Sequence, residues 1–320
     1  MASLFAARLE PLADVIMVGS WAEQIQAVHH NGLILEHPDG RESRHFFAAT
    51  TAATEEAPAD LAIVAVKSWQ TERAAQRAQQ ALSSRGLALT LQNGLGNLEK
   101  IRTVVGADRA AIGVTSEGAT MLGVGRVRHA GRGHTYFALR EDTRLRLEDT
   151  AALFAKAGLL TSLVDDAQSL IWGKLVVNAG INPLTALIQK PNGYLVENSV
   201  AFDVMSRAAI ETAAVAGAMN IELPYPDAAE RAAEVARATS ANRSSMAQDV
   251  ARGMPTEVEQ ITGAVAELGR RVGVITPVNE ALLLLVRAQI ETGSWSSSIA
   301  SIPDELQPPF LALASLEKPG

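Results

Sequence analysis

Asp60-Leu-Ala-Ile-Val-Ala-Val66 carries one charge at its start and no polar residue after it. Such an uninterrupted aliphatic run predicts a strand covered on both faces, as in a parallel sheet with helices above and below. Outward from it, the segment Thr71 to Leu82 places alanines at helical packing positions. Leu87 to Leu91 then forms a second buried strand, ending at Gln92-Asn93-Gly94-Leu95-Gly96. Asp14 to Val18, Ala110 to Thr115 and Leu160 to Val164 read as further strands, with a helix near Asp149 to Lys156. Leu33 to Glu36 and His45 to Ala48 flank Pro38-Asp39-Gly40, a hairpin signal. Arg126 to Ala130 and Thr135 to Ala138 read as an antiparallel pair. Alternating strands and helices define an α/β fold with a mostly parallel sheet.

After Asp165-Asp166 the strand signal disappears and long helical periodicities follow. They run over Ala167–Ile188, Val200–Ala218, Asp227–Ala238, Thr256–Val272 and Val278–Ile290, separated by Pro191-Asn192-Gly193, Leu223-Pro224, Gly253 and Thr276-Pro277. The Pro-rich tail beyond Ser301 is expected to lie over the surface. The reading is therefore two domains, an α/β domain over 1–165 and an all-helical domain over 166–320.

Composition excludes several classes. The chain has 320 residues, 28 Lys and Arg against 35 Asp and Glu, and a net charge of −7. That balance offers no footprint for nucleic acid or an anionic membrane. With no cysteine there is no thiol nucleophile or thiolate metal site, and the six histidines show no metal-ligand spacing, so no metal is expected. Met1 to Leu9 lacks the basic and long apolar segments of a signal peptide, and the apolar run Ala281–Val286 is too short to span a bilayer. A cytoplasmic protein is expected.

Parallel sheets of this kind bind ligands beyond the carboxyl ends of their strands. Lys67 and Asn93 follow two such ends; alone, each reads as well as a solvated loop lysine and an ordinary Asn-Gly turn. On the 167–188 helix, Leu170, Ile171, Lys174, Asn178, Ile181 and Asn182 share one arc, and the other faces are apolar too. A helix apolar nearly all round is buried, so these polar groups need partners. They form either a satisfied structural network or a row of donors facing a cleft between domains. On the 256–272 helix, Ile261, Ala264, Val265 and Leu268 make the apolar stripe. Glu257 falls toward it and Glu259 away from it; a first-turn glutamate also suits the helix dipole.

Six stretches, Asp60–Gln70 (DLAIVAVKSWQ), Gln92–Asn97 (QNGLGN), Trp172–Ala186 (WGKLVVNAGINPLTA), Ser244–Asp249 (SSMAQD), Pro255–Glu257 (PTE) and Thr276–Glu280 (TPVNE), together resemble the ketopantoate reductase (2-dehydropantoate 2-reductase) family, in its order and over nearly the whole chain. The resemblance implies a Rossmann-type domain followed by a 6-phosphogluconate-dehydrogenase-like helical domain for substrate and dimerisation. It implies reduction of a 2-oxo acid with NADPH on the way to pantothenate, a small-molecule substrate, and an assembly that allows a homodimer. Carried over by position, Lys174 is the general acid, and Asn178, Asn182, Asn192 and Ser245 hold substrate. Asn93 touches both ligands, Lys67 and the backbone at Ala119 line the cofactor site, and Glu257 sits by the substrate hydroxyl and the cofactor.

The chain departs from the family pattern in two places. No G-x-G-x-x-G exists: the pairs Gly94/Gly96, Gly123/Gly125 and Gly131/Gly133 are followed by Glu99, Arg128 and Tyr136 at the third position. Ser3 to Leu9 instead resembles the helix that follows that loop, implying a nucleotide domain shortened at its front. A gap or a substituted strand is then expected between Asp14–Val18 and Asp60–Val66. Second, Gly19-Ser20-Trp21 stands where relatives often place an arginine for the 2′-phosphate of NADPH, which leaves NAD open as the cofactor. An NAD-linked 2-oxo-acid reductase and a non-catalytic homologue are the alternative readings.

Overall fold

The computed structural model describes residues 1–51, 58–292 and 310–315. It divides into two compact units. One comprises 1–92, 96–167 and the C-terminal stretch from 303; the other comprises 93–95 and 168–302.

The first unit opens with α1 (Ala2–Leu9), β1 (Asp14–Val18), α2 (Ala22–Asn31), β2 (Leu33–Glu36), β3 (Glu42–His45) and β4 (Ala48–Thr50). It continues through β5 (Ala59–Val64), α3 (Thr71–Ala81), β6 (Leu82–Thr90), α4 (Asn97–Val105), β7 (Ala110–Thr115) and β8 (Gly118–Gly123). Then come β9 (Arg126–Gly131), β10 (His134–Ala138), α5 (Arg144–Lys156) and β11 (Leu160–Val164), and finally β12 (Phe310–Ser315), after the helical unit in sequence. Eight strands form one sheet in the order β11-β10-β7-β6-β5-β12-β1-β4, and four form a second in the order β3-β2-β9-β8.

The large sheet is buried on both sides, as the Asp60–Val66 run predicts. Leu61 and Ile63 join Phe5 and Leu9 of α1 and Phe154 of α5 on one face. Ala62 and Val64 join Ala74, Ala75 and Ala78 of α3 and Ile101 of α4 on the other. Period-two alternation with apolar residues at every position produces this double burial.

β12 lies inside that sheet, between β5 and β1. It runs antiparallel to β1 and to β5, with Ala312 opposite both Ile16 and Ala62. The substituted strand expected between Asp14–Val18 and Asp60–Val66 is therefore present. The expectation that the tail lies over the surface, and that 166–320 belongs wholly to the helical domain, is corrected. From Leu311 to Ala314 larger and small side chains alternate. Leu311 and Leu313 enter the α1 face of the core and Ala312 the α3 face. Pairing on both sides satisfies backbone groups of β1 and β5 that a gap would strand. Tail residues 301–309 and 316–320 lie outside the described residues.

Other expectations shift in detail. The hairpin partner of Leu33–Glu36 is Glu42–His45 rather than His45–Ala48, closed by His37 N–H donating to Arg41 O at 2.8 Å. Arg126–Gly131 and His134–Ala138 are not paired with each other: β9 joins β2 and β8 in the small sheet, whereas β10 joins β7 and β11 in the large one. Gly133 carries the chain between them, packed so tightly that a Cβ there would lie 2.2 Å from the carbonyl carbon of Ser116.

The second unit contains α6 (Gln168–Ile188), α7 (Tyr194–Glu197), α8 (Ser199–Ala218), α9 (Ala228–Ala238), α10 (Ser245–Ala251), α11 (Ala264–Val272) and α12 (Pro277–Thr292). Side-chain caps set three of the starts. Asn198, Asp227 and Ser244 accept from the backbone N–H of Ala201, Glu230 and Ala247. α6 is long and apolar enough to cross a membrane by composition, but its most apolar window is 67% buried within the protein. It packs against α8, α9, α10 and α12 as the unit's central helix.

Candidate active site

α6 positions the first group of residues. Lys174, Asn178 and Asn182 follow one another at four-residue intervals and so lie one turn apart along one side of the helix. Asn182 is buried, whereas Lys174 and Asn178 keep part of their surface open. The Lys174 ammonium is nonetheless enclosed by protein. Burial pulls its pKa from the ordinary lysine value down to about 8, against the opposing influence of the Glu257 carboxylate. An acid of this strength holds its proton at neutral pH and gives it up more readily than a solvated lysine.

Glu257 reaches this environment by a route that the helical wheel does not describe. The expected helix over 256–272 begins instead with a π-helical turn, Glu259–Gly263, in which Gly263 N–H donates to Val258 O at 2.9 Å. Glu257 precedes that turn and is buried, while Glu259 faces outward and pairs with Arg287 at 2.6 and 2.7 Å. The wheel predicts the sides correctly, but the helix starts later.

The π turn also holds Asn93. Leu95 N–H donates to Gln260 O at 2.9 Å. Gly94, with φ of +78°, passes so close that a Cβ would sit 2.5 Å from the same oxygen. The Asn93-Gly94-Leu95 loop is thus pinned to the segment that carries Glu257. Sequence reasoning missed Gln260, whose contribution is a backbone carbonyl and leaves no mark in residue type.

Ser245 and Asn192 complete the expected substrate set with different geometry. Ser244 is consumed as the cap of α10 and accepts from Thr185 Oγ1 at 2.7 Å, which leaves Ser245 exposed. Asn192 is buried and donates from Nδ2 to Thr239 Oγ1 at 2.9 Å, while its Oδ1 is buried without a partner. For a ligand, Asn192 therefore offers Oδ1 as an acceptor and the second hydrogen of Nδ2 as a donor.

In the first unit, Lys67 follows β5 and begins a short turn in which Gln70 N–H donates to Lys67 O at 2.8 Å. Beneath it runs a polar network that the sequence reading did not resolve. Gln92 Nε2 donates to Val66 O and Thr71 Oγ1, both at 2.8 Å, and Thr71 Oγ1 donates to Asn97 Oδ1 at 2.9 Å. The two amides at the ends of Gln92–Asn97 are therefore scaffold, and the doublet of amides in that motif was the available signal. Ala119 lies in β8 of the small sheet, opposite His129.

These residues fit a phosphorylated nucleotide. The Lys67 charge acts on the Met1 amino group at the start of α1, adding to burial to lower it to about 6. The Lys67 charge near the N-terminus of α1 is a setting that an anionic phosphate would suit. Ser20, beyond the end of β1, has a buried Oγ with no partner. Among the described residues no group of three His, Cys, Asp or Glu side chains is arranged to hold a metal.

The doubly covered, mostly parallel sheet of the first unit and the helical second unit give a two-unit architecture of the Rossmann class. The family models for ketopantoate reductase PanE/ApbA match residues 1–142, and those for its C-terminal part match 166–291. The 2-dehydropantoate 2-reductase of Halobacterium salinarum is 39% identical over 274 residues, covering 85% of this chain and 90% of its own. Among solved structures, a PanE/ApbA family ketopantoate reductase from Ralstonia eutropha JMP134 superposes with a TM-score of 0.82 at 31% identity, over 90% of this chain and 95% of that one. D-mandelate dehydrogenase with NADH and anilino(oxo)acetate superposes at 0.83 with 26% identity, over 91% and 95%. The chain belongs to the ketopantoate reductase family.

Proposed function

We propose that this protein reduces 2-dehydropantoate to pantoate with a reduced nicotinamide nucleotide, NADPH before NADH. The observation that carries the reading is the enclosed Lys174 ammonium, weakened to about 8 and facing the charge of Glu257. A reduced nicotinamide, when bound, supplies the hydride. Lys67 and the first-turn amides of α1 hold its phosphates. Lys174 hydrogen-bonds the keto oxygen, stabilises the negative charge that develops there and donates the proton. Asn178, Asn182, Ser245 and Asn93 orient the acid's carboxylate and hydroxyl as neutral partners, with Asn192 contributing Oδ1. Glu257 accepts a hydrogen bond from the substrate hydroxyl and keeps Lys174 charged in the resting enzyme.

A second reading, an NAD-linked reductase of another 2-oxo acid, is favoured by Ser20 and by the likeness to D-mandelate dehydrogenase with NADH. Initial rates with 2-dehydropantoate, pyruvate and phenylglyoxylate, each with NADPH and NADH, separate the two. The first reading expects the highest kcat/KM for 2-dehydropantoate with NADPH; a clear preference for phenylglyoxylate with NADH replaces it with the second. A cytoplasmic homodimer acting on free small molecules belongs to the same proposal, and size-exclusion chromatography checks the assembly.

A further inference from the structure

The small sheet carries a line of polar groups that reduction of a keto acid does not use. In the β2–β3 hairpin, Leu33 stands opposite His45 and Leu35 opposite Ser43. Directly opposed residues share a face. Ser43 and His45 therefore stand beside Leu33 and Leu35, which are buried against Leu4 and Ala7 of α1. β3 ends the sheet, so these two side chains border the apolar patch instead of entering it, and both keep part of their surface open. Glu10, the residue after α1, reaches the same rim. Its Oε2 lies 3.3 Å from His45 Nδ1. Ser43 Oγ lies 2.8 Å from His45 Nε2 and 2.8 Å from His37 Nε2.

With His45 in its neutral form, donor counting gives one consistent direction for the protons of this cluster. A carboxylate only accepts, so His45 Nδ1 carries a hydrogen and donates to Glu10. Nε2 of the neutral imidazole is then an acceptor, and Ser43 Oγ–H must donate to it. Ser43 has a single hydrogen, so the contact with His37 is a donation from His37 Nε2–H to Oγ. Burial, with the charges of Arg8 and Arg41, lowers the pKa of His37 and so favours its neutral form. The result is a serine whose hydrogen points at a base, and a base whose other nitrogen is oriented by a carboxylate. That is the arrangement that activates a hydroxyl nucleophile.

We propose that Ser43 is an activated nucleophile that attacks small activated carboxylic esters, with His45 as its general base and Glu10 as the residue that orients His45. Ser43 Oγ bonds to the ester carbonyl carbon while its hydrogen passes to His45 Nε2. The carbon–oxygen bond to the leaving group breaks, and the alcohol or phenol departs with that proton. Water, giving a proton to His45, then cleaves the acyl-serine to release the carboxylic acid and restore Ser43. No oxidant or reductant is involved. His37 Nε2–H, the second donor at Oγ, is the group at hand for the carbonyl oxygen.

The test mixes the full chain with p-nitrophenyl acetate in a stopped-flow instrument and maps the acetylated peptide by mass spectrometry. The expected result is a burst of about one equivalent of p-nitrophenolate per chain, with the acetyl group on Ser43. Ser43→Ala should abolish the burst with an unchanged melting temperature, and Glu10→Gln should slow it by about tenfold. Acetylation confined to lysines or to the amino terminus, no burst from the folded wild-type chain, or a burst that survives Ser43→Ala would each overturn the proposal and leave the cluster as a structural rim. Keto-acid reduction is not read in this experiment, so its outcome is independent of the reductase assignment.

Discussion

The Glu257 carboxylate favours the charged form of Lys174, and burial disfavours it more strongly, so the ammonium titrates at about 8 instead of near 10.5. Donation to the keto oxygen requires the protonated form. The rate of reduction should therefore hold at lower pH and fall as pH rises through about 8. Glu257→Gln removes the influence that raises the pKa, so the fall should begin at lower pH. Pre-steady-state pH–rate profiles of the two proteins check this; coincident profiles would separate Glu257 from the titration of Lys174.

Lys174→Ala removes the proposed proton donor. A positioned general acid contributes on the order of 100-fold or more, so kcat should drop at least that far, with circular dichroism unchanged. A kcat within a factor of two of the wild type would end the assignment.

Gly94→Ala puts a methyl group where 2.5 Å separates it from Gln260 O, on a backbone at φ of +78°. Neither the contact nor the left-handed conformation tolerates a side chain well, and such strain costs roughly 1–3 kcal/mol. The Asn93 loop should lift from the π turn, lowering kcat/KM about tenfold or more and the melting temperature by a few degrees. Steady-state kinetics paired with thermal melts read both effects, and wild-type values for both would show that the loop needs no latch.

Leu313 is wholly buried in the core of the large sheet through β12. Leu313→Ala should cost about 2–5 kcal/mol, as for other leucines of close-packed cores. Urea unfolding followed by tryptophan fluorescence measures it. A loss below about 0.5 kcal/mol, the size of an ordinary surface change, would place the strand outside the sheet.

Ser20→Arg supplies a guanidinium beyond β1, the group suited to a phosphate monoester. The ratio of kcat/KM for NADPH over NADH should rise about tenfold or more, which corresponds to roughly 1.4 kcal/mol. An unchanged ratio would show that the 2′-phosphate is read elsewhere.

Legibility in the sequence follows the range of the forces involved. Val64 and its neighbours declare a doubly covered strand because burial on both faces demands apolar residues at every position. The lysine and asparagines of α6 are visible because helical spacing is local. Even Glu257 and Glu259 can be told apart by the stripe that follows them. The pairing of Phe310–Ser315 with strands nearly 250 and 300 residues earlier leaves no such mark, since any short apolar alternation can fill a vacant ladder. The divergence of β9 and β10 into different sheets is equally non-local. Backbone chemistry is hidden altogether: the π turn and the Gln260 carbonyl depend on hydrogen-bond register, not on residue type.

The position of β12 also orders the birth of the molecule. β1 and β5 leave the ribosome before the strand that joins them, which follows the helices of the second unit in sequence. At about 5–20 residues per second, the roughly 250 intervening residues hold the sheet open for some tens of seconds. Contacts of such long sequence separation are slow to close even in the finished chain. The helical unit should therefore fold first, and the half-built sheet is the form of this protein in greatest need of a chaperone.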